Sequence, residues 1–140
     1  MSKNGSLIAS EVLVVDDEED IRDLISGILK DEGYATRTAG DSESALTAVR
    51  ARRPQLVILD IWLQGSKLDG IEVLDTIKRE LPDLPVVMIS GHGTIETAVS
   101  SIRKGAYDFI EKPFKADRLL HVAERALESA RLKREIQELK

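Results

Sequence analysis

The sequence predicts an α/β domain: a doubly wound, five-stranded parallel sheet flanked by five helices, with the last helix extended. Three observations carry this expectation. Apolar runs and segments of helical periodicity alternate five times along the 140 residues. The connections are short, and parallel strands need a crossover between each pair. Finally, Leu56-Val57-Ile58-Leu59 is apolar without alternation, the pattern of a central strand covered on both faces.

Residues 1–10 read as a disordered tail. Val12 to Val15 form the first strand, which runs into Asp16-Asp17-Glu18-Glu19-Asp20. Ile21, Leu24, Ile25, Ile28 and Leu29 then recur at helical spacing and give one apolar face, stopped by Gly33. Tyr34 to Ala39 is a weaker strand at or near an edge. Gly40-Asp41-Ser42 makes a turn and helix cap, followed by a short helix with Ala45, Ala48 and Val49 inward. Pro54 separates that helix from the central strand. Asp60 closes the central run. A carboxylate does not belong inside such a core, so Asp60 is expected just past the strand end. Ligands of open α/β sheets bind in the crevice there.

The loop Ile61 to Gly70 leads to a helix over 71–80 that buries Val73, Leu74 and Ile77. Pro82 and Pro85 bracket the turn into Val86 to Ile89, which ends on Ser90. Thr94 is placed to cap a helix carrying Ile95, Ala98, Val99 and Ile102, and Gly105 ends it. Tyr107 to Glu111 is the last strand, followed by Lys112-Pro113-Phe114. The final helix starts near Ala116 or Asp117. Leu119, Leu120, Ala123, Ala126 and Leu127 can cover the sheet. Beyond Ser129 only Leu132, Ile136 and Leu139 recur, a narrow seam of coiled-coil type.

Composition narrows the function. A net charge of -5 and an aromatic share of 4% argue against a nucleic-acid surface. The chain has no cysteine, so disulfide and thiolate chemistry are excluded. No apolar run approaches a membrane span or a signal peptide, which suits a cytoplasmic protein that does not bind membranes.

In a parallel sheet every strand ends at the same rim, so Asp16, Asp17, Asp60, Ser90 and Lys112 converge. Paired carboxylates at ~4 Å repel by a few kcal/mol at an effective dielectric of ~20, and a cation must offset this. Hard oxygen ligands without His or Cys suit Mg²⁺. The lysine adds a point charge for an anion, and the hydroxyl can hydrogen-bond a phosphoryl oxygen. The set fits an Asp60 that attacks phosphorus and becomes an aspartyl phosphate, with positioning and charge neutralisation as the catalysis. Taken singly, each residue has a plainer reading. Asp60 could be a turn acid, Asp16 and Asp17 helix caps, Ser90 a cap or turn residue, and Lys112 a solvated lysine.

The ordered motifs Val14-Val15-Asp16-Asp17-Glu18, Leu59-Asp60, Asp69-Gly70, Ile89-Ser90-Gly91 and Lys112-Pro113-Phe114 resemble the receiver domains of bacterial response regulators. The match runs from about Glu11 to Leu127. Residues 105–114 resemble the NtrC class, and the lengthened loop after Asp60, which lacks the usual Pro, looks like its NtrX branch. The resemblance implies a flavodoxin-like, CheY-like fold and phosphorylation of Asp60 by a histidine kinase, here NtrY-like. It implies Mg²⁺ on Asp17, Asp60 and the Trp62 backbone carbonyl, with Asp16 acting largely through water. Ser90 and Lys112 would contact the phosphoryl oxygens, and Lys112-Pro113 would be cis. Phe109 would be either an aromatic switch that follows Ser90 or a permanent core residue.

In this family the positions of Trp62 and His92 flank the path of the hydrolysing water. Trp62 would shield the site and lengthen the phosphorylated lifetime, or simply pack on the rim. His92 reads as a loop histidine rather than a metal ligand or phosphodonor. The resulting division is a tail over 1–10, a receiver over 11–128, and the start of a helical linker over 129–140. That linker would lead to a σ54-type ATPase and a DNA-binding module, and a homodimer is expected. The domain would catalyse only its own Mg²⁺-dependent phosphorylation and dephosphorylation. Phosphorylation would reshape the surface of the fourth helix, fifth strand and fifth helix. The rivals are a degenerate receiver that binds partners without phosphorylation, a haloacid-dehalogenase phosphatase and a nucleotide-binding Rossmann domain. Trp62 occupies the position where the phosphatase needs an acid. The acidic first turn lacks the glycines of the Rossmann domain and would repel a pyrophosphate.

Overall fold

The computed structural model describes residues 10–65, 69–91 and 94–138. In chain order the elements are β1 (Glu11–Val15), α1 (Glu19–Asp31), β2 (Ala35–Ala39), α2 (Ser42–Ala51), β3 (Leu56–Asp60), α3 (Gly70–Glu80), β4 (Val86–Ser90), α4 (Ile95–Arg103), β5 (Asp108–Glu111) and α5 (Ala116–Glu138). The strands form one parallel sheet in the order β2-β1-β3-β4-β5. The unalternating run Leu56–Leu59 lies at the centre, and the weakest strand, β2, lies at an edge. The doubly wound α/β expectation therefore holds.

Strand alternation divides the interior into two cores. Leu13 and Val15, Val57 and Leu59, and Val86 and Met88 face α2 and α3, where Ala45, Val49, Val73, Leu74 and Ile77 close the layer. Val12 and Val14, Leu56 and Ile58, and Val87 and Ile89 face α1 and α5, against Ile25, Leu29, Leu119, Val122 and Ala126. The four apolar residues of β3 are fully buried, each contributing about 1.5–3 kcal/mol of burial free energy. Helix ends follow local chemistry. The Asp41 and Asp69 carboxylates cap α2 and α3, the latter in a reciprocal capping box with Glu72. Gly33 and Gly105 follow α1 and α4 with positive φ (96° and 109°), a conformation that side chains with a Cβ rarely adopt.

α5 is a single helix of 23 residues, about 34 Å long. It stays packed as far as Ala130, whereas Leu132 and Ile136 are 45% and 57% exposed. No helix among the described residues is long and apolar enough to cross a membrane. The tail expectation for residues 1–9, the path of 66–68 and the seam residue Leu139 lie outside the described residues.

Candidate functional site

Register places the acids side by side. Val14 pairs with Ile58 and Val15 with Leu59, so the next residues, Asp16 and Asp60, are neighbours. Both continue the alternation that faces α1 and α5. Among the described residues, the buried polar or charged side chains are Asp16, Ser26, Ser42, Asp60, Ser90 and Ser101. Three of these, Asp16, Asp60 and Ser90, stand at the carboxyl rim of the sheet.

One expectation needs correction. Asp60 is not beyond the strand end: it is the last residue of β3, pairs with Ile89 and is 4% exposed. The core tolerates it because partners reach it there. The Lys112 ammonium lies 3.3 Å from Oδ2, and the Trp62 amide donates to Oδ1 at 3.3 Å. These partners do not fully offset its burial. Desolvation, reinforced by the Asp16 charge, pushes the Asp60 carboxyl up to about 6.

Asp16 is completely buried. Its Oδ1 accepts the Glu18 amide at 2.9 Å, and its Oδ2 lies 2.9 Å from Lys112 Nζ without a well-formed hydrogen bond. Asp17 is half-buried, and its Oδ2 accepts the Gln64 amide at 3.3 Å. Lys112 is positioned by its own backbone, which donates to the Ser90 carbonyl at 2.8 Å. Its ammonium spans Asp16 and Asp60 and lies 3.5 Å from Glu18. Burial works against that charge, but the two aspartates outweigh burial and hold the lysine above its ordinary pKa. The Lys112-Pro113 bond is cis.

Asp16, Asp17 and Asp60 each offer a carboxylate oxygen, and these oxygens lie within 4.8 Å of one another. Three hard anionic donors beside an incompletely bonded, buried Asp16 oxygen fit an oxygen-preferring divalent cation such as Mg²⁺. The structure thus brings together Asp16, Asp17, Asp60, Lys112 and, at the end of the adjacent strand, Ser90. The Trp62 indole stands at the rim, 46% exposed. Phe109 is set apart from the acids. It is half-buried against the α2–α3 core and lines a groove between α4 and α5. His92 lies outside the described residues.

Periodicity missed two contacts at this rim. Arg22 Nη1 donates to the Asp16 carbonyl at 2.7 Å. Gly70 lies so close to β3 that a Cβ there would fall 2.0 Å from the Asp60 carbonyl oxygen. The adjacent Asp69-Gly70 motif was a signal for the second, whereas the first left none.

The family model of the response regulator receiver domain matches residues 12–124. The chain belongs to that family. As a receiver it has the CheY-like fold, shared with a Methanospirillum hungatei receiver at 27% identity and a TM-score of 0.85, over 90% of this chain and 99% of that one. It is 65% identical over 133 residues to the nitrogen assimilation regulatory protein NtrX of Azorhizobium caulinodans, covering 95% of this chain and 29% of that protein. The crystal structure of NtrX from Brucella abortus matches with a TM-score of 0.90 and 69% identity, over 95% of this receiver and 30% of that chain. The receiver thus spans under a third of the curated NtrX relative. Receiver domains bind Mg²⁺ at an acidic pocket, and this receiver carries its aspartate cluster at the carboxyl rim.

Proposed function

We propose that Asp60 accepts a phosphoryl group from a phosphohistidine of an NtrY-like histidine kinase. A carboxylate oxygen attacks phosphorus, the N–P bond breaks, and the electron pair leaves with the imidazole. The observation that carries this reading is a buried acid at the end of the central strand, crowded by two other acids and answered by one lysine. Lys112 neutralises charge on the incoming group, and the Ser90 hydroxyl donates to a phosphoryl oxygen. Mg²⁺ held by Asp17, Asp60 and the Trp62 carbonyl, with Asp16 acting largely through water, would neutralise the remaining phosphoryl charge. The Trp62 indole screens the acyl phosphate from water and lengthens its life.

The output follows from Ser90 and the neighbouring strand β5. Phe109 borders a groove of about 820 Å³ together with Thr94, Ile95 and Phe114. Phe109 pairs with Met88, two residues before Ser90, so ring and hydroxyl share one face of the sheet, which supports a ring that turns inward from the groove when Ser90 moves. Ile95 is 83% exposed and Val99 44%, so this face has apolar surface to offer a second copy. A solved structure of a related receiver, the beryllofluoride-activated NtrC4 domain, is a dimer; it matches with a TM-score of 0.80 and 42% identity, over 86% of this chain and 98% of that one. Residues 129–140 then lead toward a σ54-type ATPase and a DNA-binding module in a longer cytoplasmic protein.

Incubation with acetyl phosphate and Mg²⁺, followed by intact mass, tests the core of this reading. Wild type gains one phosphoryl group, and Asp60→Asn gains none. An unmodified wild type would leave a phosphorylation-independent interaction module. Faster dephosphorylation in Trp62→Ala tests the screen, and light scattering with and without beryllofluoride tests the dimer.

A further inference from the structure

We propose that Arg22 is a positioning residue for the acidic turn and that Gly40 exists to admit it. The inference rests on the metal reading of Asp16, Asp17 and Asp60. Arg22 projects from the first turns of α1, where its amide donates to the Glu18 carbonyl at 3.1 Å. Its guanidinium returns toward the strand and donates from Nη1 to the Asp16 carbonyl at 2.7 Å. The guanidinium also lies across the backbone of Gly40. A Cβ on Gly40 would come within 3.0 Å of Nη1 and 3.6 Å of Cζ. A side chain at position 40 would therefore force the fork to shift by a few tenths of an ångström and loosen its hold on the Asp16 carbonyl.

The contact matters because of what else holds Asp16. Its amide donates to the Ala39 carbonyl at 3.2 Å, and its Oδ1 accepts the Glu18 amide. With the carbonyl held by Arg22, three polar atoms of Asp16 are fixed from β2, the turn and α1. Only Oδ2 is left facing Lys112. The Asp16 carbonyl and the Asp17 amide share one rigid peptide plane. Holding that carbonyl therefore sets the direction in which Asp17 starts, and with it the second carboxylate. Groups one step behind metal ligands typically change affinity by about 10- to 100-fold when removed.

Charge and positioning make opposite predictions. If Arg22 acted only as a nearby cation, removing it would tighten Mg²⁺ binding, because like charges repel. If it aims the acids, removing it weakens binding. Trp62, the single tryptophan of the chain, borders the site and reports Mg²⁺ titrations by fluorescence. Arg22→Ala is expected to raise the Mg²⁺ dissociation constant about 10-fold. Arg22→Lys, which keeps the charge and a donor, is expected to recover part of that loss. Gly40→Ala, with Arg22 intact, is expected to weaken binding a few-fold. Thermal unfolding in EDTA checks that each variant is folded; if Arg22→Ala is not, Arg22→Lys and Gly40→Ala decide the matter. A wild type that binds Mg²⁺ beside variants that bind it equally well or more tightly would overturn the role of Arg22 alone. A wild type with no Mg²⁺ response would overturn the metal reading and this inference together.

Discussion

Glu11 and Asp60 stand at opposite rims of one sheet, the first opening β1 and the second closing β3. The Glu11 carboxylate meets Arg52 at 2.7 Å and Arg37 at 3.0 Å, two cations for one acid. The Arg52 hydrogen bond, helped by Arg37 and opposed by burial, holds it below the ordinary carboxylate range. At the other rim three aspartates cluster, Lys112 reaches Asp16, Asp60 and Glu18, and Asp60 is pushed up instead. The acid at the amino rim finds all the positive charge it needs within the protein, so it serves the fold. The charges at the carboxyl rim are not matched until something cationic arrives. An imbalance buried among fully packed strands is thus the physical mark of the functional end.

The largest way to break this contrast is steric. Gly70→Ala places a methyl group 2.0 Å from the Asp60 carbonyl oxygen, against backbone that cannot yield cheaply. It is expected to lower stability by about 3 kcal/mol and to abolish Mg²⁺-dependent labelling, measured by urea unfolding and intact mass.

Asp60→Asn sharpens the contrast with a change of opposite sign. The folded pKa, about 6, lies above the ordinary 3.8. The native state therefore keeps its proton in a window where the unfolded chain has released it. The stabilisation is complete below the lower value and is lost as pH rises through the higher one. In EDTA at pH 7, Asp60→Asn is expected to be more stable than wild type by on the order of 1–2 kcal/mol, after allowing for solvent screening. The gain shrinks on acidification and disappears near pH 4. Saturating Mg²⁺ reverses the ranking, because only wild type keeps the full ligand set.

Glu11→Gln should do the reverse on a smaller scale. Its folded pKa is depressed, so its contribution is present above the ordinary 4.5 and is lost as pH falls through the lower folded value. A loss of about 0.5–1 kcal/mol at neutral pH is expected, insensitive to Mg²⁺ and fading in acid, as read by urea titration. Smallest of all is Arg50→Ala. Its bidentate pair with Glu80, at 3.0 and 2.6 Å, is solvent-exposed, and the urea midpoint should stay within error of wild type.

Hydrophobic pattern alone was enough for the strand order at the centre and edge, because Leu56–Leu59 and Ala35–Ala39 differ in how many faces they bury. It also led to the rim acids, because topology forces strand ends together. It did not give the depth of Asp60, since the partners that make burial tolerable lie 52 residues away at Lys112 and in the following turn. Nor did it reveal Glu11 with Arg37, Arg52 and Gln55, or Arg22 with Asp16. These contacts join polar side chains to distant charges or to backbone, and a polar residue carries no periodic sign of what it will touch.

α5 begins three residues after Pro113 and continues unbroken to Glu138. A stiff rod does not dissipate motion as a loop does. Beyond Ala130, where the helix leaves the body, the remaining residues to Glu138 make an arm of about 12 Å, and a tilt of about 10° there sweeps its tip through about 2 Å. A shift too small to alter the fold around Lys112 would thus reach the far tip without being absorbed on the way.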